Sequence, residues 1–380
     1  MRKEDTMTET IKLVRLGDLI EIFDLKNSEG KPYPFYGINK DKTFMPTVAD
    51  TNELDNAKYK IVSKGVFVFS GMQTGRDVCI RIAVYDEYTP ILVSPAYTTF
   101  KVKDTNEILP IYLFLQFNRL EMDRYGWFLS DGSIRSNLDW DRFCDIEIPL
   151  PSIEVQRELV DTYNGLKSLA EQNEALIPRL SAACQAYIVD CRAKYPSVSL
   201  GEYIEVDEEQ NINDEDLPFM GINIQKEFMP TNANTDGLKK NKYLIMRKGR
   251  FVFSGMQTGR DIAIRVGLYK SDKPALISPA YITFSVSKDK RDRILPEYLN
   301  LQFKRSESDR LGWFYSDGSI RSNLDWDRFC EFQIPLPPTD VQQAIVDVYH
   351  CMERAKQIAT TAREKLKTLC PALVQRAAHS

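Results

Sequence analysis

The chain has 380 residues, with 50 Lys and Arg against 54 Asp and Glu for a net charge of −4. That is room for about two domains, and it gives no global basic signature of nucleic-acid binding by charge alone. At 43% hydrophobic and 27% charged the composition is that of an ordinary globular protein, which excludes wholesale disorder and collagen-like repeats. Two histidines (His350 and His379) and seven cysteines without a CxxC pair exclude most histidine-based metal and triad chemistry, and indicate neither a disulfide framework nor a zinc site.

The opening stretch MRKEDTMTETIK is too polar for a signal peptide, and no apolar run approaches the roughly 20 residues of a membrane span. The expectation is therefore a cytoplasmic protein without membrane contact. Lys64–Gly71 is an apolar, β-prone run between glycines. Asp77–Val84 shows β-branched alternation, and Tyr97–Val102 is another short strand. A helix is predicted at Leu109–Arg119, with Pro110 in its first turn. The mixture points to an α+β module.

The module then repeats. FVFSGMQTGRD at 67–77 recurs unchanged at 251–261, and SPAY at 94–97 recurs at 278–281. GWF-x-SDGSIRSNLDWDRFC (126–144) recurs at 312–330, two residues later in register, with the insertion falling in or near the polar stretch Ser287–Arg293. IPLP closes each copy at 148–151 and 334–337. So long a period means a duplicated domain and not a stacked solenoid.

After each IPLP the rhythm changes. Apolar or small residues recur at 159, 163, 166, 170, 177, 180, 184, 187 and 191, and again from Val341 through Ile345, Val348, Met352, Ala355, Ala359, Ala362, Leu366, Leu369 and Leu373. Steps of four and three over this length predict two long heptad helices, each of about 35 residues and roughly 50 Å. Two such helices in one chain most simply pair antiparallel. Pro178 and Pro371 are expected to kink or interrupt them. Asn173, on the seam, either sets the register or faces water at a kink.

The chain thus reads as domain 13–151, helix 152–196, domain 197–337 and helix 338–380. This alternation, the IPLP-x4-Q start of each helix (Gln156, Gln342) and the strand–glycine–SPAY layout resemble the specificity subunit of type I restriction–modification enzymes, over about Val14 to Val374. The resemblance implies an α+β fold with two target-recognition domains spaced by long antiparallel coiled-coil helices, related by an approximate two-fold axis. It implies double-stranded DNA as ligand and two copies of an adenine methyltransferase as partners. Motor-nuclease subunits are a further expected partner. No cofactor is expected on this chain; S-adenosylmethionine would belong to the methyltransferase.

Independently, no catalytic motif is found. Leu336-Pro337-Pro338-Thr339 lacks both ends of an Asn/Asp-Pro-Pro-aromatic motif, and no GxGxxG occurs. GMQTGRD has three residues between its glycines instead of four, Arg in place of Lys and no following Ser or Thr, so it is not a phosphate loop. It does offer Gln73, Thr74 and Arg76, mirrored by Gln257, Thr258 and Arg260. Gln pairs with adenine and Arg with guanine in the major groove, and glycines permit close backbone approach. The competing reading is a tight turn with Arg76 paired to Asp77. SDGSIRSN offers Ser133, Arg135 and Asn137, with Ser319, Arg321 and Asn323 in the second copy, for phosphate or base-edge contact; a plain structural loop is the alternative. Asp139 is expected to cap a helix, and Trp140, Trp127, Trp313 and Trp326 to lie in cores. Lys239, Lys240 and Lys248, with Lys242, Arg247 and Arg250, form a basic stretch suited to phosphates or simply to solvent. A duplicated protein-interaction scaffold that never touches DNA is the alternative function. Matched reading loops predict one half-site read twice, as an interrupted palindrome.

Overall fold

A computed structural model describes residues 12–377 apart from 49, 51–53, 232, 233 and 236. Its contacts divide the chain into two units. One holds the first domain with residues up to 173 and from 357 onward; the other spans 174–356. The divisions fall inside both long helices, so each unit is one domain plus a part of each helix.

In the first unit a four-stranded antiparallel sheet runs in the order Ile20–Ile22, Thr98–Val102, Phe67–Ser70, Arg81–Val84. The strand Phe67–Ser70 is buried throughout. Its alternation sends Phe67 and Phe69 into one apolar cluster and Val68 into another on the opposite face, which is why the run shows no polar face. Phe67 stacks on Phe100 with ring centroids 4.8 Å apart, and Phe69 stacks on Phe143 at 4.3 Å. Trp140 lies half-buried against Phe69, Phe100 and Phe143, and Asp139 caps its helix by accepting from the Arg142 amide at 2.9 Å. The strand expected from Asp77 begins only at Arg81. Thr74–Asp77 is instead a helical turn that ends at Val78 in the left-handed region. Helix Pro110–Phe117 carries its proline at the first turn, and a further helix, Leu120–Leu129, follows it.

The second unit repeats this plan: strands Ile204–Val206, Ile282–Val286, Phe251–Ser254 and Arg265–Leu268 in the same order, with Phe253 on Phe329 at 4.2 Å and Phe251 on Phe284 at 4.9 Å. In each domain the IPLP segment begins within a strand. Glu147–Leu150 pairs with Lys12–Arg15, and Gln333–Pro335 with Ser197–Ser199.

Each of these strands leads into a long helix, Ile153–Lys194 (42 residues) and Thr339–Ala377 (39 residues). A buried glutamine fixes each start. Gln156 accepts from the Leu109 amide at 2.9 Å and donates to the carbonyls of Glu107 (2.9 Å) and Pro151 (3.0 Å). Gln342 does the same with Leu295, Arg293 and Pro337 at 2.9, 2.8 and 2.8 Å. In the first unit Leu159, Tyr163 and Leu166 pack with Leu366, Cys370 and Val374. In the second, Ile177, Leu180, Cys184 and Ile188 share a cluster with Val341, Ile345, Val348 and Met352. Early turns of one helix meet late turns of the other in one unit and the converse holds in the second, so the helices pair antiparallel.

Three seam expectations are corrected. The helices continue unbroken through Pro178 and Pro371; in helices this long one forfeited backbone bond does not end the ladder. Tyr187 and Leu369 are exposed, and Ile188 and Cys370 take their places, with Val374 buried in turn. The spacing 359, 362, 366, 370 averages 3.67 residues per turn, close to a straight α-helix, so a strict 3.5 repeat drifts off the seam. Asn173 donates to the Leu169 carbonyl of its own helix at 2.8 Å and so serves its own turn.

Candidate nucleic-acid interface

The two sequence motifs with reading potential form one structure. At the end of strand Phe67–Ser70, Gly71 lies so close to the Leu138 carbonyl that a side chain there would overlap it; the Leu138 amide donates back to the Gly71 carbonyl at 2.9 Å. Gln73 follows at φ 60, and its amide donates to the Asn137 side-chain oxygen at 3.0 Å. Gly75 presses against Ser136, where a side chain would again overlap, and its amide donates to the Ser136 carbonyl at 2.9 Å. The second copy matches: Leu324 to Gly255 and Gly259 to Ser322 at 2.9 Å, Gln257 to Asn323 at 3.0 Å. Glycine is required where two backbones approach this closely.

Asp131 organises the other half. Its carboxylate accepts from the Ser133 amide (3.1 Å), the Ser133 hydroxyl (2.5 Å) and the Asn137 amide (3.0 Å). The hydroxyl bond first, then the Asn137 amide, holds this carboxyl below its ordinary value. Asp317 is held down in the same way by Ser319 and Asn323.

These contacts sort the expected site residues. Thr74 and Thr258 are fully buried, their hydroxyls donating to the Gly71 and Gly255 carbonyls at 3.1 and 3.0 Å, so they brace the turn. Asn137 and Asn323 join the loops, and Ser133 and Ser319 tie their own loops to Asp131 and Asp317. The groups left facing solvent are Arg76, Arg135, Arg260 and Arg321, with Gln73 and Gln257 half-buried beside them. Arg76 lies 3.6 Å from Asp77 but remains 62% exposed. Arg260 lies 3.0 Å from Asp261, bonds Gln257 at 2.6 Å and is 57% exposed. In each pair the carboxylate is largely buried while the guanidinium stays exposed, which leaves the guanidinium free to exchange partners. Burial raises the Asp77 carboxyl, but hydrogen bonds from Lys40 and Arg81 outweigh it and hold it below its ordinary value.

Four of the six basic residues of the stretch are paired with acids. Lys240 pairs with Asp216, Arg247 with Glu209, Lys248 with Asp272 at 2.8 Å, and Arg250 with Asp207 and Glu209. Lys239 and Lys242 are exposed beside them.

Two expectations fail. Trp127 and Trp313 are each 55% exposed, and their neighbours Phe128 and Phe314 are 79% and 78% exposed. On helix Leu120–Leu129 the inward positions are Met122 and Gly126. Gly126 sits against Ile80 where a side chain would overlap, which turns the following aromatics outward. The spacing 122–126 was the available signal. Among the described residues no helix is long and apolar enough to cross a membrane, and no metal-holding group of His, Cys, Asp and Glu is found.

The model of the type I restriction modification DNA specificity domain matches the chain twice, at residues 8–178 and 198–368. No curated protein matches. Among solved structures, the chain is similar to the S subunit of a type I restriction-modification system from M. genitalium, at 13% identity and TM-score 0.60 over 98% of this chain and 97% of that one. It is also similar to the HsdS subunit from Thermoanaerobacter tengcongensis, at 14% identity and TM-score 0.42 over 98% and 97%.

Proposed function

Because the chain belongs to the family of type I restriction–modification DNA specificity proteins, we propose that its two domains read the same short DNA sequence, each through its composite loop. The observation that carries this reading is that GMQTGRD and SDGSIRSN each recur unchanged in the second copy, joined there by the same bond from the Gln amide to the Asn side chain. Gln73, Arg76 and Arg135 are the reading groups of one domain, and Gln257, Arg260 and Arg321 those of the other; Gln suits adenine N6/N7 and Arg suits guanine O6/N7. Family membership sets aside the scaffold that never touches DNA.

The two-fold relation expected of a duplicated chain puts the half-sites on opposite strands. The target is then one half-site, a few unspecified base pairs set by the helical spacer, and the reverse complement. The chain is the non-catalytic specificity subunit. Two copies of an adenine methyltransferase dock on the two equivalent surfaces of the repeat, bring S-adenosylmethionine and methylate one adenine per half. Motor-nuclease subunits complete the restriction assembly. The net charge of −4 suits a division of labour in which the partner supplies most phosphate contacts and this chain supplies base readout.

The test is Arg76→Ala and Arg260→Ala in the assembled complex. Loss of a base contact costs about 1–3 kcal/mol and relaxes preference in one half-site only. A phosphate contact instead weakens all sequences alike and lowers the salt slope. Unchanged affinity of both variants returns the loops to a structural role.

A further inference from the structure

Ile134 and Ile320 have relative exposures of 100% and 102%. A lone exposed apolar side chain needs no explanation, but the backbone beneath these two is firmly held. Besides the three bonds to Asp131, the Ser136 amide donates to both the carbonyl and the hydroxyl of Ser133, at 3.0 and 3.1 Å. The second copy repeats the pair at 3.0 and 3.1 Å between Ser322 and Ser319. Ser136 and Ser322 are held at φ 51, a conformation that costs a non-glycine residue energy and persists only where the surroundings impose it. The turn next door ends on Val78 and Ile262 at φ 49 and 48, rarer still for β-branched residues. Both copies therefore use hydrogen bonds and strain to present a branched aliphatic tip, flanked by an exposed arginine, that packs on none of the described residues of its own chain.

In the major groove the group an aliphatic side chain recognises is the C5-methyl of thymine. We infer that Ile134 and Ile320 each contact a thymine methyl in the half-site read by their own domain. This rests on the DNA reading above and names one base-edge group within it. Every half-site holding a methylated adenine contains at least one thymine, opposite that adenine, so the contact always has a candidate.

The experiment uses the full chain assembled with its methyltransferase and a duplex carrying the methylated site, with thymines replaced one at a time by deoxyuridine. At one thymine per half-site the replacement is expected to weaken binding about fourfold, the effect of one buried methyl. Ile134→Ala abolishes that discrimination in one half-site and Ile320→Ala in the other. Both positions are fully exposed, so the variants retain the fold, checked by unchanged thermal unfolding. Two results overturn the inference while leaving the DNA reading intact. One is a wild-type complex that prefers its site over scrambled DNA yet ignores every deoxyuridine; the other is alanine variants that discriminate as the wild type does. A complex with no preference for any sequence overturns the DNA reading itself.

Discussion

Replacing Gln156 by Leu keeps the side chain's bulk and removes its amide. The three hydrogen bonds it makes, at 2.9, 2.9 and 3.0 Å, join the first domain's Leu109 and Glu107 to the strand end at Pro151 and hence to the first turn of the long helix. Gln156 is fully buried, while the Leu109 amide and the two carbonyls that lose their partner are only partly buried. At about 1 kcal/mol net per bond the loss is about 3 kcal/mol, before any added penalty for stranded polar groups. Urea denaturation of the purified chain, fitted for the transition of the first domain, measures it. Gln342→Leu is expected to do the same to the second domain. Gln185→Leu, at an exposed position of the same helix, is the control and should change stability by under about 0.5 kcal/mol. Gln156→Glu is the sharper variant: its carboxylate still accepts from Leu109 but faces two carbonyls that it cannot donate to. It should be at least as destabilising at neutral pH and recover as the carboxyl protonates in acid. A loss below about 1 kcal/mol in Gln156→Leu would refute the idea that this glutamine joins domain to helix.

Gly75→Ala should force Ser136 away, so that the composite loop opens and site-specific DNA binding falls while far-UV circular dichroism stays unchanged. Lys226→Met leaves Asp309 without its 2.7 Å ammonium partner and should cost the second domain on the order of 3 kcal/mol in chemical denaturation. The depressed carboxyls of Asp131 and Asp317 contribute stability that is fully present above their ordinary value of 3.8 and is lost as pH falls through the lower folded value. Amide exchange at Ser133 and Asn137 should therefore stay protected from pH 7 down to about 4 and open only below it. Opening that begins above pH 5 would contradict the carboxylate's role.

The duplication, the two long helices and the IPLP–Gln junction were legible because each is a local pattern: a repeat, a spacing, a short motif at a fixed place. Gln156 stood out in the sequence as a marker, whereas its role as a buried clamp needed partners 47 and 49 residues away. The same holds for the site. GMQTGRD and SDGSIRSN each suggested polar contacts alone, but nothing local showed that Asn137 reaches the Gln73 amide across 64 residues, or that this union would bury Thr74. The basic stretch looked available because its acidic partners, Asp207, Glu209, Asp216 and Asp272, come from elsewhere in the domain. Trp127 was misplaced because a large aromatic residue is most often core, and the exception hangs on the tight fit of Gly126 against Ile80.

Sequencing the methylated adenines in cells that carry this chain with its partner methyltransferase tests most directly whether the two domains read alike. The expected motif is a single half-site and its reverse complement, separated by a fixed number of unspecified bases, with one methylated adenine at the equivalent position of each strand. Two half-sites of unrelated sequence would contradict it, and would move the reading from the matched loops to segments where the copies differ, such as 239–250 against 55–66.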